Sequence, residues 1–196
     1  AIAVSCAGPI GFVALVSPYV DGDPGVIDEW VVATERANLA IYGYGAKAFT
    51  LSLIESAIEL TGGRVTSSEI SAILEVGKGL LDQPVELLDG VDEVVAGLAD
   101  DGFRLIVVTK GDLFHQEAKV RASGLSDLFR RIEIVSEKDV DTYARVLDEC
   151  GVAAPQFLMV GNSLRSDIEP VLRLGGWGVF MPYHVIWAHE SESAVR

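Results

Sequence analysis

The stretch FLMVGNSLRSDIEPVLRLGG, residues 157–176, decides the fold class of this chain. Its apolar run at 157–160, closing on Gly161, is typical of a buried strand, and the pattern that follows is typical of a helix. Between them lies a polar loop that carries Asn162 and Asp167. Open α/β sheets place their ligands at the carboxyl ends of parallel strands, so this loop is the first candidate for a functional site.

The same alternation of apolar runs and helical patterns extends through the second half of the chain. Predicted strands occupy 103–109, 132–136, 157–161 and 177–182, and predicted helices occupy 90–102, 113–124, 141–151 and 165–174. Strands that alternate with helices at this spacing indicate a parallel sheet built from right-handed βαβ units. The fold class expected for residues 85–196 is therefore α/β, with a Rossmann-like parallel sheet as its core.

Residues 21–84 carry helical patterns and no strand signal, so they predict an all-helical domain. The pattern runs from Val26 to about Leu60 with a glycine-containing kink at 41–49, and a further helix begins at 67 with Ser67 or Thr66 as its N-cap. Residues 1–20 contain no charged side chain and are interpreted as a buried strand followed by a helix that faces the core. A basic n-region is missing and glycines and prolines interrupt the run, which argues against a signal peptide or a membrane span.

Composition restricts the possible partners. The formal net charge of −14 argues against binding to nucleic acid or to an anionic membrane. It does not argue against a phosphorylated substrate, because a bound metal ion or a lysine can reverse the local field. The two cysteines, Cys6 and Cys150, lie far apart without metal-binding spacing, so a reduced, cytoplasmic setting is expected.

Three predicted strands end in polar residues: Thr109 after the first, Lys138 after the second and Asp167 after the third. Each has an ordinary structural explanation on its own. Threonine is common in turns, a lysine between two acids is usually solvated, and an aspartate at the start of a helix often caps it. Their order along consecutive strands is what suggests a shared site.

In this order the segments resemble motifs of the haloacid dehalogenase superfamily. FRLIVVTKGD (103–112) is similar to its hydroxyl-bearing motif, EKDVDTYARVLDECGV (137–152) to its lysine motif, and FLMVGNSLRSDIEPVLRLGG (157–176) to its metal motif. The likeness covers 87–185 closely, and the helical block before it is similar to the superfamily's helical cap. ANLAIYGYGAKAFTLS and PYHVIWAHE are also similar to segments of its phosphatase branch.

The resemblance implies both a chemistry and a set of site residues. Thr109 would bind a phosphate oxygen and Lys138 would offset negative charge. Asp167 and Asn162 would hold Mg²⁺, with Asn162 standing where the family has its first acidic residue. Phosphoryl transfer depends largely on such positioning and charge neutralisation. The implied activity is Mg²⁺-dependent hydrolysis of a small phosphorylated molecule through an aspartyl-phosphate.

The first motif of the superfamily, D-x-D-x-T, which supplies the nucleophile, is not recognisable. Asp21 and Asp23 in VDGDPG are either that carboxylate pair or, as the flanking pattern favours, a turn followed by a helix cap. In a second alignment Ser5, Cys6 and Ala7 occupy the positions of the motif. Ser5 and Ala7 could not perform the phosphoaspartate chemistry, and Cys6 is a conceivable nucleophile with nothing nearby in sequence to activate it. Residues 1–20 are thus expected to be a shortened or replaced N-terminal part of the core.

Three alternatives follow from the missing motif. The chain could be a catalytically inactive phosphate- or metal-binding protein, or an interaction protein that uses its IYGYG segment. It could dehalogenate a small 2-haloacid, which needs an aspartate but no metal. It could also be a shortened or frame-altered form of an active enzyme. The three histidines do not supply a catalytic group, because their scattered positions (115, 184 and 189) are typical of structural residues.

Overall fold

The computed structural model describes residues 8–20 and 24–182 of the 196-residue chain. The described residues divide into two compact units, with the division between Pro84 and Val85. This is the same position at which the sequence predicts the end of the helical domain. Each unit has its own apolar cluster.

The first unit consists of helices. In chain order they are α1 (Gly8–Val16), α2 (Pro24–Tyr42), α3 (Ala46–Leu60) and α4 (Ser67–Leu81). All four helices contribute apolar side chains to one buried cluster, which contains Phe12, Val16, Ile27, Leu53, Ala57 and Ile73. None of the described helices is both long and apolar enough to cross a membrane.

Helix α1 belongs to this helical unit, whereas the sequence predicts that residues 1–20 belong to the α/β core. The physical reason is the burial of Phe12 and Val16, which are 3% and 0% exposed within the helical cluster. The strand predicted before this helix lies outside the described residues.

Local sequence signals set the ends of these helices. The predicted kink is the break between α2 and α3, where Gly43 and Gly45 adopt positive φ angles of 70° and 123°. Glycine reaches this region without the steric cost that a β carbon would add. Thr66 caps α4 in a capping box with Glu69, since its side chain accepts from the Glu69 N–H while the Glu69 carboxylate accepts from the Thr66 N–H.

The second unit alternates helices and strands. It contains α5 (Val91–Asp100), β1 (Leu105–Lys110), α6 (Leu113–Ala122), β2 (Phe129–Val135), α7 (Val140–Cys150), β3 (Leu158–Gly161), α8 (Glu169–Arg173) and β4 (Trp177–Phe180). β1 pairs with β2 and β3 pairs with β4, both in parallel. The α/β class with parallel strands and a helical cap domain is therefore confirmed.

The two strand pairs share one apolar cluster. It contains Val108 of β1, Val135 of β2, Tyr143 of α7 and Val171 of α8, and Met159 of β3 packs against it. Tyr143 is fully buried. This packing brings the carboxyl ends of β1, β2 and β3 to the same part of the unit.

Among the described residues, one face of the β3–β4 pair is packed against Ile168 and the other is about half exposed. Gly178 on the packed face lies against Ile168, where an added β carbon would come within 2.8 Å of the isoleucine Cγ2. The opposite face carries Leu158 beside Trp177 and Val160 beside Val179, with exposures of 53%, 64%, 48% and 44% respectively. We refer to these four residues as the apolar β3–β4 face.

Candidate active site

Lys138 and Asp167, predicted from separate motifs, meet directly. The Lys138 Nζ donates a hydrogen bond to Asp167 Oδ1 at 2.7 Å, and the two side chains are only 13% and 4% exposed. Lys138 lies in the loop after β2, immediately before α7, and Asp167 lies in the turn after β3. An ion pair shielded to this extent interacts far more strongly than one on the surface.

The turn that carries Asp167 differs from the prediction. The sequence predicts a helix over 165–174, whereas the structure has a π-helical turn (Leu164–Ile168) followed by the short helix α8. Side-chain hydrogen bonds explain the wider turn. The Ser163 Oγ accepts from the Ser166 N–H at 3.1 Å, and Asp167 Oδ2 accepts from the Ser163 N–H at 3.0 Å. Widened turns of this kind occur frequently at functional sites.

Gly161, the last residue of β3, leaves room for the Asp167 carboxylate. A β carbon at this position would lie 2.3 Å from Asp167 Oδ2 and 2.4 Å from its Cγ. Glycine is therefore required here by the close approach of a side chain.

Two further residues hold the turn, and the motifs in the sequence assign a role to neither. The Tyr143 hydroxyl donates to the Ser166 carbonyl at 3.2 Å, and Lys110 Nζ donates to Ser166 Oγ at 3.2 Å. Lys110 also lies 3.7 Å from the Glu137 carboxylate. The only available signal was that Lys110 directly follows Thr109 at a strand end. Burial, together with the nearby negative charge of Asp167, raises the pKa of Tyr143 well above its usual value.

Thr109 lies one residue before Lys110 at the end of β1. Its hydroxyl approaches the Lys110 carbonyl at 3.3 Å and Gln116 Oε1 at 3.4 Å. Both separations are long for hydroxyl hydrogen bonds, so the hydroxyl can turn toward a ligand at little cost. Asp112 caps the helix that follows by accepting from the His115 N–H at 3.0 Å.

The nucleophile candidates lie outside the described residues. This applies to the pair Asp21 and Asp23 and to the alternative positions 5–7. Among the histidines, His115 is buried, at 8% exposed, as a structural residue would be. His184 and His189 lie outside the described residues as well.

The donor set suits a magnesium ion that keeps most of its water. Within 8–20 and 24–182, no group of three or more histidine, cysteine or acidic side chains is placed to hold a metal. What the motif offers is the Asp167 carboxylate and the half-buried amide of Asn162. Mg²⁺ is commonly held by one or two carboxylates together with waters and substrate phosphate oxygens, so these oxygen donors fit it. Zinc sites in proteins usually include cysteine or histidine ligands.

Comparison with known proteins identifies the family. Residues 20–175 match the model of the haloacid dehalogenase-like hydrolases. A haloacid dehalogenase-like family hydrolase from Xanthomonas campestris is 54% identical, with a TM-score of 0.82 over 88% of this chain and 72% of that one. The chain therefore belongs to the haloacid dehalogenase-like hydrolases. A comparison with curated proteins found no match.

More distant structures share the fold. A predicted phosphoglycolate phosphatase from Haemophilus somnus 129PT is 17% identical with a TM-score of 0.57, over 93% of this chain and 83% of that one. A 2-haloacid dehalogenase from Pseudomonas syringae pv. tomato DC3000 is also 17% identical with a TM-score of 0.60, over 95% of this chain and 85% of that one. At this identity the likeness concerns the fold alone, and it does not decide between the two reactions.

Proposed function

We propose that this chain is a Mg²⁺-dependent phosphohydrolase that acts on a small phosphate ester. The observation that carries the proposal is the shielded pair of Lys138 and Asp167 at 2.7 Å, in the region where β1 presents Thr109. A cation and a metal-binding carboxylate brought together at the carboxyl ends of parallel strands match the requirements of phosphoryl transfer.

Each residue would have a defined role. The Thr109 hydroxyl would donate a hydrogen bond to a non-bridging phosphate oxygen. The Lys138 ammonium would act as a compact positive charge against the phosphoryl group. Asp167 and Asn162 would hold Mg²⁺ through oxygen atoms. When bound, the ion would neutralise charge on the phosphoryl oxygens.

The oxygen donors favour a phosphate ester over a haloacid. Dehalogenation of a 2-haloacid needs a carboxylate nucleophile but no metal ion, so it would give Asp167 and Asn162 no metal to bind. Hydrolysis of a phosphate ester uses both. The overall charge of −14 does not oppose an anionic substrate, because Lys110 and Lys138 both lie at this site.

The attacking group is a separate question. The family resemblance implies an aspartate, and Asp21 is the candidate in this chain, although it lies outside the described residues. Within those residues the site supplies phosphate- and metal-binding groups. The test of function therefore has to include Asp21 beside the binding residues.

The test is hydrolysis of p-nitrophenyl phosphate, with Mg²⁺ and with excess chelator. The chain would be compared with Asp167→Asn, Thr109→Val and Asp21→Asn, and release of chloride from 2-chloropropionate would be assayed in parallel. We expect Mg²⁺-dependent release of phosphate that Asp167→Asn reduces at least about 100-fold, since removal of a stabilising charge in the transition state has effects of this size. Asp148→Asn is a matched control, because Asp148 is exposed on α7.

Each outcome has a distinct meaning. Loss of activity in Asp21→Asn would identify the nucleophile. Chloride release without phosphatase activity would replace the proposal with a dehalogenase. If neither product forms while the chain still binds Mg²⁺ or inorganic phosphate, the chain is a binding protein of this family and the proposed hydrolysis is wrong.

A further inference from the structure

We propose that Lys110 is a positioning residue, which holds the turn 163–168 so that Asp167 is correctly oriented for its ligand. This inference rests on the proposed function, because it assigns Lys110 a role in binding at the same site. Neither the sequence motifs nor the family match assigns a role to this residue.

The placement of Lys110 follows from the strand. Side chains alternate along β1, so Ile106, Val108 and Lys110 share one face. Ile106 and Val108 belong to the apolar cluster around Tyr143. The stem of Lys110 therefore continues an apolar row, and its side chain is only 11% exposed. A lysine with a buried stem keeps its ammonium group where polar partners are available.

Those partners are the direct neighbours of the two site residues. The Lys110 ammonium contacts Ser166, which precedes Asp167, and Glu137, which precedes Lys138. Lys110 thus contacts the residue that precedes each member of the pair formed by Lys138 and Asp167. Lys110 links the end of β1 to both loops that form the site.

The orientation of the Asp167 carboxylate depends on the backbone of its turn. The carboxylate is fixed by the Ser163 N–H, and Ser166 lies within the same turn. A hydrogen bond from a shielded ammonium is among the stronger ones in proteins. Displacement of a ligating group by about 1 Å can cost a large factor in binding or rate. The hydrogen bond from Lys110 to Ser166 is therefore expected to affect ligand binding by Asp167.

Charge offers a competing explanation that predicts the opposite sign. If Lys110 acted only through its charge, its removal would relieve repulsion and raise the affinity for Mg²⁺. Ser166→Ala separates the two effects, because it removes the acceptor and leaves the ammonium in place. Lys110→Met removes both charge and hydrogen bond, while Lys110→Arg keeps the charge and can still donate.

The experiment is calorimetric titration of the full chain and these three variants with MgCl₂, with melting temperatures recorded alongside. We expect Ser166→Ala and Lys110→Met each to weaken Mg²⁺ binding about tenfold. The double variant should be no weaker than Lys110→Met, because Lys110→Met already removes the hydrogen bond to Ser166. Lys110→Arg should recover most of the affinity. Lys78→Met is the control, since Lys78 is exposed on α4.

The opposite results would overturn the inference. It is wrong if Lys110→Met binds Mg²⁺ more tightly and Ser166→Ala binds it as the unmodified chain does. If the unmodified chain binds no Mg²⁺, the metal part of the proposed function fails, and hydrogen exchange over residues 162–169 then tests Lys110 independently. Faster exchange there in both Ser166→Ala and Lys110→Met supports the positioning role of Lys110, and unchanged exchange overturns it.

Discussion

The backbone of Gly161 and the carboxylate of Asp167 are in such close contact that a methyl group does not fit between them. A β carbon at Gly161 would lie 2.3 Å from Asp167 Oδ2. The backbone of Gly161 has no positive φ, so this glycine is required by space and not by conformation. The last residue of a strand thus determines where the candidate metal-binding carboxylate lies.

Gly161→Ala is therefore expected to displace Asp167. We expect a loss of about 1–3 kcal/mol in the free energy of unfolding, as for other overpacked sites, together with a clear loss of Mg²⁺ affinity. Urea unfolding and calorimetric titration would measure the two. Gly97→Ala is the matched control: Gly97 lies in α5 with open space at its β-carbon position, so this change should stabilise the chain slightly. Unchanged Mg²⁺ binding in Gly161→Ala would contradict the role of this contact.

Lys138→Met should destabilise the α/β unit because it leaves Asp167 buried without its partner. Loss of one partner from a buried ion pair costs about 3 kcal/mol or more. In the double variant with Asp167→Asn the buried charge is gone as well, so its loss of stability should be much smaller than the sum of the two single losses. Urea unfolding of the three variants gives this coupling. Additive losses would show that the two side chains do not stabilise each other.

Tyr143 predicts a loss of stability at alkaline pH. Its pKa is raised in the folded chain, so the folded state retains the phenol proton where the unfolded state, with a pKa of about 10, releases it. The contribution of Tyr143 to the free energy of unfolding is therefore fully present below the unfolded-state pKa and declines as the pH rises above it. Tyr143→Phe should remove that decline and, because it also removes the hydrogen bond to Ser166, cost about 1 kcal/mol at neutral pH. Urea unfolding measured from about pH 8 to about pH 11, a range that spans the ordinary tyrosine pKa, tests both the decline and the loss at neutral pH. An identical decline in Tyr143→Phe would contradict the assignment.

Glu35 predicts a pH effect in the helical unit. Burial raises the pKa of its carboxyl group, so ionisation at neutral pH opposes folding. Stability at this site is greatest below the unfolded pKa of about 4.3 and falls as the pH rises through the folded value. Glu35→Gln should raise the melting temperature at pH 7 and have no such effect below about pH 4. Glu29→Gln, at an exposed position on the same helix, should change little at either pH.

Much of this fold could be predicted because its signals are local. Apolar runs mark the strands, and Thr66 and the glycines after Tyr42 mark helix ends, each through a short-range steric or hydrogen-bonding requirement. The meeting of Lys138 and Asp167 could also be anticipated, because the carboxyl ends of parallel strands converge.

Other features depend on contacts between residues far apart in sequence. The roles of Gly161 and Lys110 arise from the side chains that they contact in the folded chain. The sequence alone does not distinguish a buried lysine from an exposed one. The π-helical turn depends on Ser163 and Asp167 bonding to backbone N–H groups, which a helical pattern does not reveal. The place of α1 depends on which apolar cluster has room for Phe12 and Val16.

The apolar β3–β4 face gives this chain a built-in optical reporter. The indole of Trp177 is 64% exposed, although its N–H donates to the Pro155 carbonyl at 3.0 Å. Its fluorescence should therefore have the long-wavelength maximum of a hydrated indole. Any molecule that covers this face would shift the emission to shorter wavelength, and in a variant in which Trp30 and Trp187 are phenylalanine the shift would come from this face alone.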